Sequence, residues 1–325
     1  MHSPATISTI IPAYNRPIML REAVASVLAQ TYERIEVIIV DDGSEDDTPK
    51  VAEELAALHP GVVRWVHQAN AGPGAARNLG FAHARGEYIQ YLDSDDLLEP
   101  SKFELQVAAL QEHPETGLAY GITRRVDMAT GESRVWARTS EEIEHIFPSF
   151  LMKRGWDTNA PLWRRTTCDA IGPWLELRCL EDWEHDLRAG MLGISAIHVP
   201  QPGAIVRDHE AMRASGMSSG FTVEIVRDMA RAHEAVWTRM RALGLLDWSY
   251  LEEFSRKLFW IARLCGERGL VEEAEIALGI AKEMRICHGT CALQLYGVAT
   301  GLFGWPRTVW WLETTRSLIQ HSKKQ

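Results

Sequence analysis

The sequence predicts a doubly wound α/β domain over residues 1–220, followed by a helical region over residues 221–325. Four short apolar segments alternate with helical patterns in the first part of the chain, which is typical of strands in a sheet covered by helices on both faces. The segment Val37-Ile38-Ile39-Val40 is apolar throughout, as expected for a strand in a mostly parallel central sheet that is covered on both sides. The predicted strands cover residues 7–14, 37–40, 62–66 and 88–92.

Helices are predicted between these strands. Pro17 and Pro49 stand where a first helical turn would begin, a place where the missing N–H of proline costs nothing. Apolar side chains then recur at helical spacing, as with Leu20, Ala23, Val24, Val27 and Leu28. Beyond residue 100 we expect a helix over 101–112, a strand over 117–121, a hairpin or an excursion over 122–140, and a strand over 194–199.

Composition excludes several classes of protein. With 325 residues, 46% hydrophobic and 24% charged, the chain is long enough for a large core and ordinary for a globular protein. Its formal net charge of −10 argues against a nucleic-acid partner. The 5 cysteines predict no disulfide framework, and Cys287-His288-x-x-Cys291 lacks the second pair of a zinc finger. Because we find no secretion signal and no membrane-spanning run, we expect a cytoplasmic protein.

An acidic cluster follows the fourth predicted strand. It reads Asp93-Ser94-Asp95-Asp96, and open α/β sheets bind their ligands at the carboxyl ends of strands. Asp93 and Asp95 stand at alternate positions, so both side chains can approach one hard divalent cation. The cluster taken alone also fits a solvated acidic turn before the next helix.

The other predicted strands end in polar segments as well. The first strand runs into Pro12, Tyr14 and Asn15, without the glycine-rich loop of a dinucleotide-binding protein. The second ends in Asp41-Asp42-Gly43-Ser44, and the third is followed by Asn70-Ala-Gly72-Pro-Gly74. Because the carboxyl ends of parallel strands meet at one edge, we expect these segments to converge.

Five motifs together resemble glycosyltransferase family 2, whose members are inverting enzymes with the Rossmann-like GT-A fold. Each motif alone is weak, whereas their shared order and spacing are specific, and the resemblance covers about residues 5–215. The motifs are Ile11-Pro-Ala-Tyr-Asn15, Val40-Asp-Asp-Gly-Ser-x-Asp46, Asn70-x-Gly-x-x-x-Ala-Arg77-Asn78, Tyr91-Leu-Asp93-Ser-Asp95-Asp96 and Glu181-Asp182-Trp183.

The resemblance implies a site for a nucleotide-sugar donor, with a UDP-sugar favoured. The donor-binding residues it implies are Pro12, Ala13, Tyr14, Asn15, Asp41, Asp42, Gly72, Arg77, Asp93 and Ser94. Tyr14 would stack on the base, and Asp41 and Asp42 would hold base and ribose, one of them also capping the turn at Gly43. Arg77 would reach the base or a phosphate, with a surface arginine as the alternative.

The resemblance also implies a Mn²⁺ or Mg²⁺ ion and a catalytic base. Asp95, Asp93 and His209 are the implied metal ligands, and the ion would neutralise the departing diphosphate; His209 also fits a packing residue. Asp182 would take the proton of an acceptor hydroxyl, and one displacement would invert the anomeric centre. Residues implied for the sugar or acceptor are Asp96, which alternatively shapes its loop, Glu181, and Trp183, whose ring would offer an apolar face.

The expected acceptor is a glycan, a lipid-linked or a small-molecule hydroxyl, selected by residues 122–160 and the region Trp156–Trp163. Residues 207–220 fit a lid over the donor. The aromatic segment Tyr296–Trp311 fits packing on its own domain, a homodimer contact, or peripheral contact with the inner face of the cytoplasmic membrane. Residues 259–285 resemble a single tetratricopeptide-type hairpin.

Two other functions are alternatives to a glycosyltransferase. A sugar-1-phosphate nucleotidyltransferase would need a glycine-rich triphosphate loop with a basic residue after the first strand, where Pro12-Ala-Tyr-Asn15 stands. A catalytically inactive sugar-nucleotide-binding module would have lost its acids, yet Asp95 and Asp182 are both present.

Overall fold

The computed structural model describes residues 6–209, 221–285, 291–305 and 307–309. These residues form two compact units. The first comprises the described residues up to 177 together with 181–209, and the second comprises residues 178–180 and the described residues from 221 onward. The predicted division of the chain at residue 220 stays a prediction, since that position lies outside the described ranges.

The first unit contains a 9-stranded sheet. Its strands are β1 (Ile7–Ala13), β2 (Ile35–Asp42), β3 (Val63–Gln68), β4 (Tyr88–Tyr91), β5 (Leu97–Leu98), β6 (Leu118–Asp127), β7 (Ser133–Val135), β8 (Pro161–Arg164) and β9 (Ala196–Asp208). The strand order is β3-β2-β1-β4-β8-β6-β9-β5, and β7 pairs with β6.

The first half of the sheet is parallel, as predicted. β1 lies between β2 and β4, and β2 pairs with β3, all in parallel register. Ile10 stands opposite Ile38 on one side and Tyr91 on the other, and all three side chains are buried. Burial on both faces explains the uninterrupted apolar run of residues 37–40 within β2.

The second half of the sheet is mixed, which corrects the prediction of a mostly parallel sheet. β8 runs antiparallel to both β4 and β6, while β9 is parallel to β6 and antiparallel to β5. The polar stretch after residue 121 is the hairpin alternative, closed where the Asp127 N–H donates to the Glu132 carbonyl at 2.9 Å. The four residues of β8 are too few for a periodic signal, so pattern analysis missed this strand.

Seven helices of the described part of this unit surround the sheet, among them α3 close against β1. They are α1 (Pro17–Leu28), α2 (Thr48–Leu58), α3 (Pro73–His83), α4 (Lys102–Glu112), α5 (Ser149–Met152), α6 (Arg165–Ile171) and α7 (Glu181–Met191). A Cβ on Gly80 would lie 2.3 Å from Cγ2 of Ile10, so only glycine permits this approach. A short 3-10 turn covers Ala137–Ser140.

The described part of the second unit is helical. Its helices are α8 (Val223–Ala242), α9 (Trp248–Glu267), α10 (Val271–Arg285) and α11 (Cys291–Phe303). The hairpin expected over residues 259–285 corresponds to the end of α9, a turn at Gly269 with φ +74°, and α10. Across the described ranges, every helix is too short or too polar to cross a bilayer.

The aromatic C-terminal segment is only partly described. Tyr296 and Trp305 are buried, whereas Leu302 and Phe303 are exposed. The predicted dimer contact and membrane contact therefore stay predictions. The side chains of the Cys287-His288-x-x-Cys291 pattern lie outside the described residues.

Candidate active site

The loops that follow β1 and β2 are tied together at the carboxyl edge of the sheet. The Asn15 N–H donates to Oγ of Ser44 at 3.0 Å, and Asn15 Oδ1 accepts from the Glu45 N–H at 2.8 Å. Asn15 adopts a positive φ of 51°, which asparagine tolerates better than most residues. The next-door Tyr14 is 43% exposed, so its ring is free to stack on a ligand, while Ala13 is buried and Pro12 half-buried.

Asp41 and Asp42 are both buried, and their oxygens are used by the protein. Asp42 accepts from Nε2 of Gln68 at 2.7 Å and from the N–H groups of Ala71 and Gly72 at 2.9 Å each. It thereby stabilises the loop between β3 and α3, where Gly72 has a φ of +90°. Direct contact of Asp42 with a nucleotide stays a prediction, which this arrangement does not favour.

Asp41 caps the turn after β2, as predicted for one member of the pair. Its Oδ1 accepts from the Ser44 N–H at 3.2 Å, and its Oδ2 lies 2.7 Å from Nδ1 of His67. The Asp41 side chain is 0% exposed, whereas that of His67 is 56% exposed. His67 is therefore the group through which Asp41 can act on a ligand. Sequence analysis missed His67, since a histidine on a short strand gives no motif.

Arg77 is buried at 3% exposure, which excludes the interpretation as a surface arginine. One guanidinium nitrogen donates to Oδ1 of Asp93 and the other to Oε1 of Glu181, both at 2.8 Å. Its Cζ lies 4.6 Å from the ring centroid of Trp174. Despite the burial, which opposes the charge, these two carboxylates raise the pKa of Arg77 further. Arg77 thus joins the acidic cluster after β4 to the start of α7.

One carboxylate oxygen of Asp95 contacts both an arginine and a histidine. Its Oδ2 forms an ion pair with Arg16 and lies 3.0 Å from Nε2 of His209. Burial alone would raise the pKa of Asp95, but Arg16 and the His209 hydrogen bond outweigh it and lower that pKa. The resemblance to the family had implied no role for Arg16, although it directly follows the first motif.

Asp95 and His209 are also the groups that could hold a metal ion. The described residues contain no ready-made group of three His, Cys, Asp or Glu side chains around one point. Nδ1 of the buried His209 has no hydrogen-bond partner within the described part of the chain. Mg²⁺-type sites on nucleotides need only one or two protein ligands, because phosphate and water complete the shell. Asp95 and His209 therefore fit such an ion once Arg16 leaves the shared oxygen.

Asp96 shapes its loop, which is the predicted alternative to a contact with the sugar or acceptor. Its Oδ2 accepts from Nδ2 of Asn159 at 2.7 Å and its Oδ1 accepts from the Arg207 N–H at 2.8 Å. Asn159 also accepts from the Asp93 N–H at 2.8 Å. Burial, together with Asp95 and Asp93, raises the pKa of Asp96 well above its usual value. Ser94 is buried in the same loop, so its donor contact stays a prediction.

Asp182 lies at the start of α7 and is 28% exposed. It forms an ion pair with Arg154, whose Nε donates to Oδ2 of Asp186 at 2.6 Å. Burial would raise the pKa of Asp182, but Arg154 and then Arg77 lower it overall, so the carboxylate is ionised at neutral pH. Arg154 also escaped the sequence analysis, because it lies in an irregular segment that matched no motif.

The two neighbours of Asp182 differ from it in charge and exposure. Burial and the adjacent Asp182 raise the pKa of Glu181 to about 7, although Arg77 opposes the rise. Trp183 is 4% exposed and its Nε1 donates to the Phe150 carbonyl at 2.7 Å. The prediction of a sugar-facing Trp183 ring is therefore wrong for this structure, since the ring is part of the core. The acids at the N-terminus of α7 also agree with the helix-start interpretation.

The predicted residues thus occupy one edge of the first unit with different roles. Direct bonds bring together Asp93, Arg77 and Glu181, and separately Asp95, Arg16 and His209. Residues 210–220, most of the predicted lid, lie outside the described ranges.

Known proteins match this unit in sequence and in fold. The family model described as "Glycosyl transferase family 2" matches residues 8–166. An uncharacterized glycosyltransferase of Nostoc sp. is 38% identical over 175 residues, covering 51% of this chain and 53% of that protein. One of Rickettsia conorii is 46% identical over 109 residues, covering 33% of this chain and 17% of that protein. The chain thus matches about half or less of these relatives' lengths.

Two solved structures share the fold at low identity. TarS residues 1–349 from S. aureus, in complex with UDP-GlcNAc, align with a TM-score of 0.58 and 18% identity over 87% of this chain and 92% of that one. The mannosyltransferase PcManGT from Pyrobaculum calidifontis, in complex with GDP-Man and Mn²⁺, aligns with a TM-score of 0.54 and 16% identity over 99% of this chain and 87% of that one. Residues 8–166 of the chain therefore match glycosyl transferase family 2, and the chain has the GT-A fold.

Proposed function

We propose that this protein is an inverting, metal-dependent glycosyltransferase that moves a sugar from a nucleotide-sugar donor to an acceptor hydroxyl. The observation that carries the proposal is the Arg77 bridge. Its guanidinium bonds Asp93, in the acidic cluster, and Glu181, next to the partly exposed Asp182. The bridge would thereby hold a diphosphate-binding group and a base side by side, as a displacement at an anomeric carbon requires.

The donor nucleotide would bind over the loops that follow β1 to β3. Tyr14 supplies an exposed ring for stacking, and His67, held by Asp41, supplies a hydrogen-bonding edge. We favour a UDP-sugar. TarS binds UDP-GlcNAc and PcManGT binds GDP-Man, so both donor classes occur on this fold.

Asp95 and His209 would hold a Mn²⁺ or Mg²⁺ ion, with Asp93 beside them. The ion would supply positive charge to the diphosphate as it leaves. In this structure Arg16 forms an ion pair with the oxygen of Asp95 that the metal ion would need. Its departure would place a second cation near the phosphates, where a guanidinium binds well.

Asp182 would act as the general base. Its lowered pKa keeps it ionised, its exposed part can reach the acceptor hydroxyl, and the proton passes to a carboxylate oxygen as the hydroxyl attacks. Attack from the face opposite the diphosphate inverts the anomeric centre in one displacement. Glu181, with a pKa of about 7, is available to hydrogen-bond the sugar or the acceptor.

We propose a glycan, a lipid-linked or a small-molecule acceptor and a cytoplasmic location. Contact with the inner face of the membrane or with a second copy would involve the C-terminal helices. The nucleotidyltransferase alternative gains no support, because no glycine-rich loop follows β1.

A donor screen tests the proposal directly. Purified protein with Mn²⁺ is assayed for hydrolysis and transfer of UDP-, GDP- and dTDP-sugars, alongside Asp182→Asn and the surface control Asp169→Asn. We expect Asp182→Asn to lose about 10²- to 10⁴-fold in turnover with donor affinity nearly unchanged, and the control to keep both. Failure of every donor, or a fully active Asp182→Asn variant, would contradict the proposal.

A further inference from the structure

We propose that Arg154 is a positioning residue that sets the protonation and the orientation of Asp182, and that Asp186 tunes it by competing for the same guanidinium. The inference rests on the proposed function, since it takes Asp182 as the base. Neither Arg154 nor Asp186 belongs to any of the five motifs.

The geometry is that of a built network. NH1 of Arg154 binds Oδ2 of Asp182, and Nε of Arg154 donates to Oδ2 of Asp186 at 2.6 Å. Trp156 donates from Nε1 to that same Asp186 oxygen at 2.9 Å. Arg138 donates to the Arg154 carbonyl at 2.6 Å, which fixes the segment that carries the arginine.

The two carboxylate oxygens of Asp182 have different partners. Thr158 Oγ1 lies 3.4 Å from the oxygen that Arg154 binds, so both side chains approach Oδ2. Oδ1 accepts from the adjacent Trp183 N–H at 2.7 Å and keeps further lone-pair capacity. A carboxylate clamped through Oδ2 presents Oδ1 to an acceptor hydroxyl in a fixed orientation.

The charges explain why Asp186 matters. One guanidinium serves two carboxylates, so this group carries a net charge of −1. The Asp186 side chain is 2% exposed, whereas that of Asp182 is 28% exposed. Other charged or titratable groups near Asp182 are Arg77, Glu181 and Asp93, and His185 lies 3.8 Å from Asp186.

The competition predicts opposite effects of two substitutions. Loss of the Arg154 charge disfavours ionised Asp182, so the acid limb of kcat/KM moves to higher pH. Asp186→Asn removes a negative charge and leaves the guanidinium to Asp182 alone, so the acid limb moves to lower pH. A merely structural role would lower activity without moving the limb in opposite directions.

The experiment measures kcat and KM against pH with the donor found in the screen, for wild type, Arg154→Met, Arg154→Lys, Asp186→Asn and the exposed control Arg21→Met. We expect Arg154→Met to shift the midpoint of the acid limb of kcat/KM upward by about 1 pH unit or more. The same variant should lower kcat by a larger factor than it raises KM. Arg154→Lys keeps the positive charge, so the midpoint of its acid limb should lie close to that of wild type. Asp186→Asn should lower the limb, and Arg21→Met should change nothing.

Arg154→Met leaves two carboxylates without their cation, so a double variant guards against misfolding. Arg154→Met with Asp186→Asn removes both charges of the buried pair, and it should regain stability while kcat stays low, because Asp182 is no longer clamped. An active wild type whose acid limb is unmoved in Asp186→Asn overturns the inference alone. An inactive wild type overturns the proposed function and, with it, the inference.

Discussion

Carboxylates on the two sides of the candidate site are held in different ways. On the proposed donor side, Asp42 and Asp96 are buried and accept hydrogen bonds from backbone N–H groups and side-chain amides. On the proposed acceptor side, Asp182 keeps 28% exposure and forms an ion pair with Arg154. Carboxylates that saturate backbone donors build the loops, whereas a half-open carboxylate balanced by an arginine keeps capacity for a ligand.

Arg77 joins the two sides, so replacing it gives the largest expected effect. Arg77→Met leaves Asp93 and Glu181 without their shared cation, and losing one partner of a buried ion pair costs about 3–5 kcal/mol. We expect urea unfolding to show a loss of that order and activity to disappear. Arg21→Met, at an exposed pair, is the control, and equal stability of the two variants would contradict the bridge.

Asp42 tests whether the donor-side acids are structural. Asp42→Asn replaces an acceptor that serves three donors, so we expect a loss of about 1–3 kcal/mol in unfolding free energy along with weaker donor binding. Chemical denaturation and calorimetric titration of the donor measure the two effects. Unchanged stability with lost donor affinity would instead show that Asp42 contacts the nucleotide itself.

The contribution of Glu181 to stability depends on pH. Its pKa rises from a usual value of 4.5 to about 7, so the native state binds the proton more tightly than the unfolded chain. Stability contributed by the protonated acid is present below pH 4.5 and is lost as pH rises toward 7. Glu181→Gln lacks this loss, so its Tm relative to wild type should increase over that range. A pH-independent difference would refute the raised pKa.

His67 gives the smallest expected effect. His67→Ala removes one exposed hydrogen-bonding group, which is worth about 0.5–1.5 kcal/mol, or roughly a 2- to 10-fold weaker donor affinity. Titration with UDP and the donor measures the change, and exposed His145→Ala serves as control. Identical affinities of His67→Ala and wild type would exclude His67 from the nucleotide site.

Local patterns were sufficient for the parallel half of the fold and insufficient for the rest. Ile38 and Ile39 lie in an uninterrupted apolar run because both faces of β2 are buried. Such a run predicts a parallel strand. β8 has four residues and depends on β4 and β6 for its pairing. Trp183 misled the prediction because an aromatic residue after an acid pair fits a core and a sugar platform equally well.

The sequence by itself predicted the resemblance to glycosyltransferase family 2, the edge of the sheet where the strand-end motifs meet, and the acids that stand there. These follow from short-range order, since motif spacing and strand-end positions are properties of the chain. Only the tertiary structure decided which partner each acid has. Arg77 and Glu181 lie 104 residues apart in the sequence, and Arg154 and Asp182 lie 28 residues apart. Burial and the sign of the nearest charge determine whether each carboxylate is protonated. Both arise only when segments that are distant in the sequence meet in the fold.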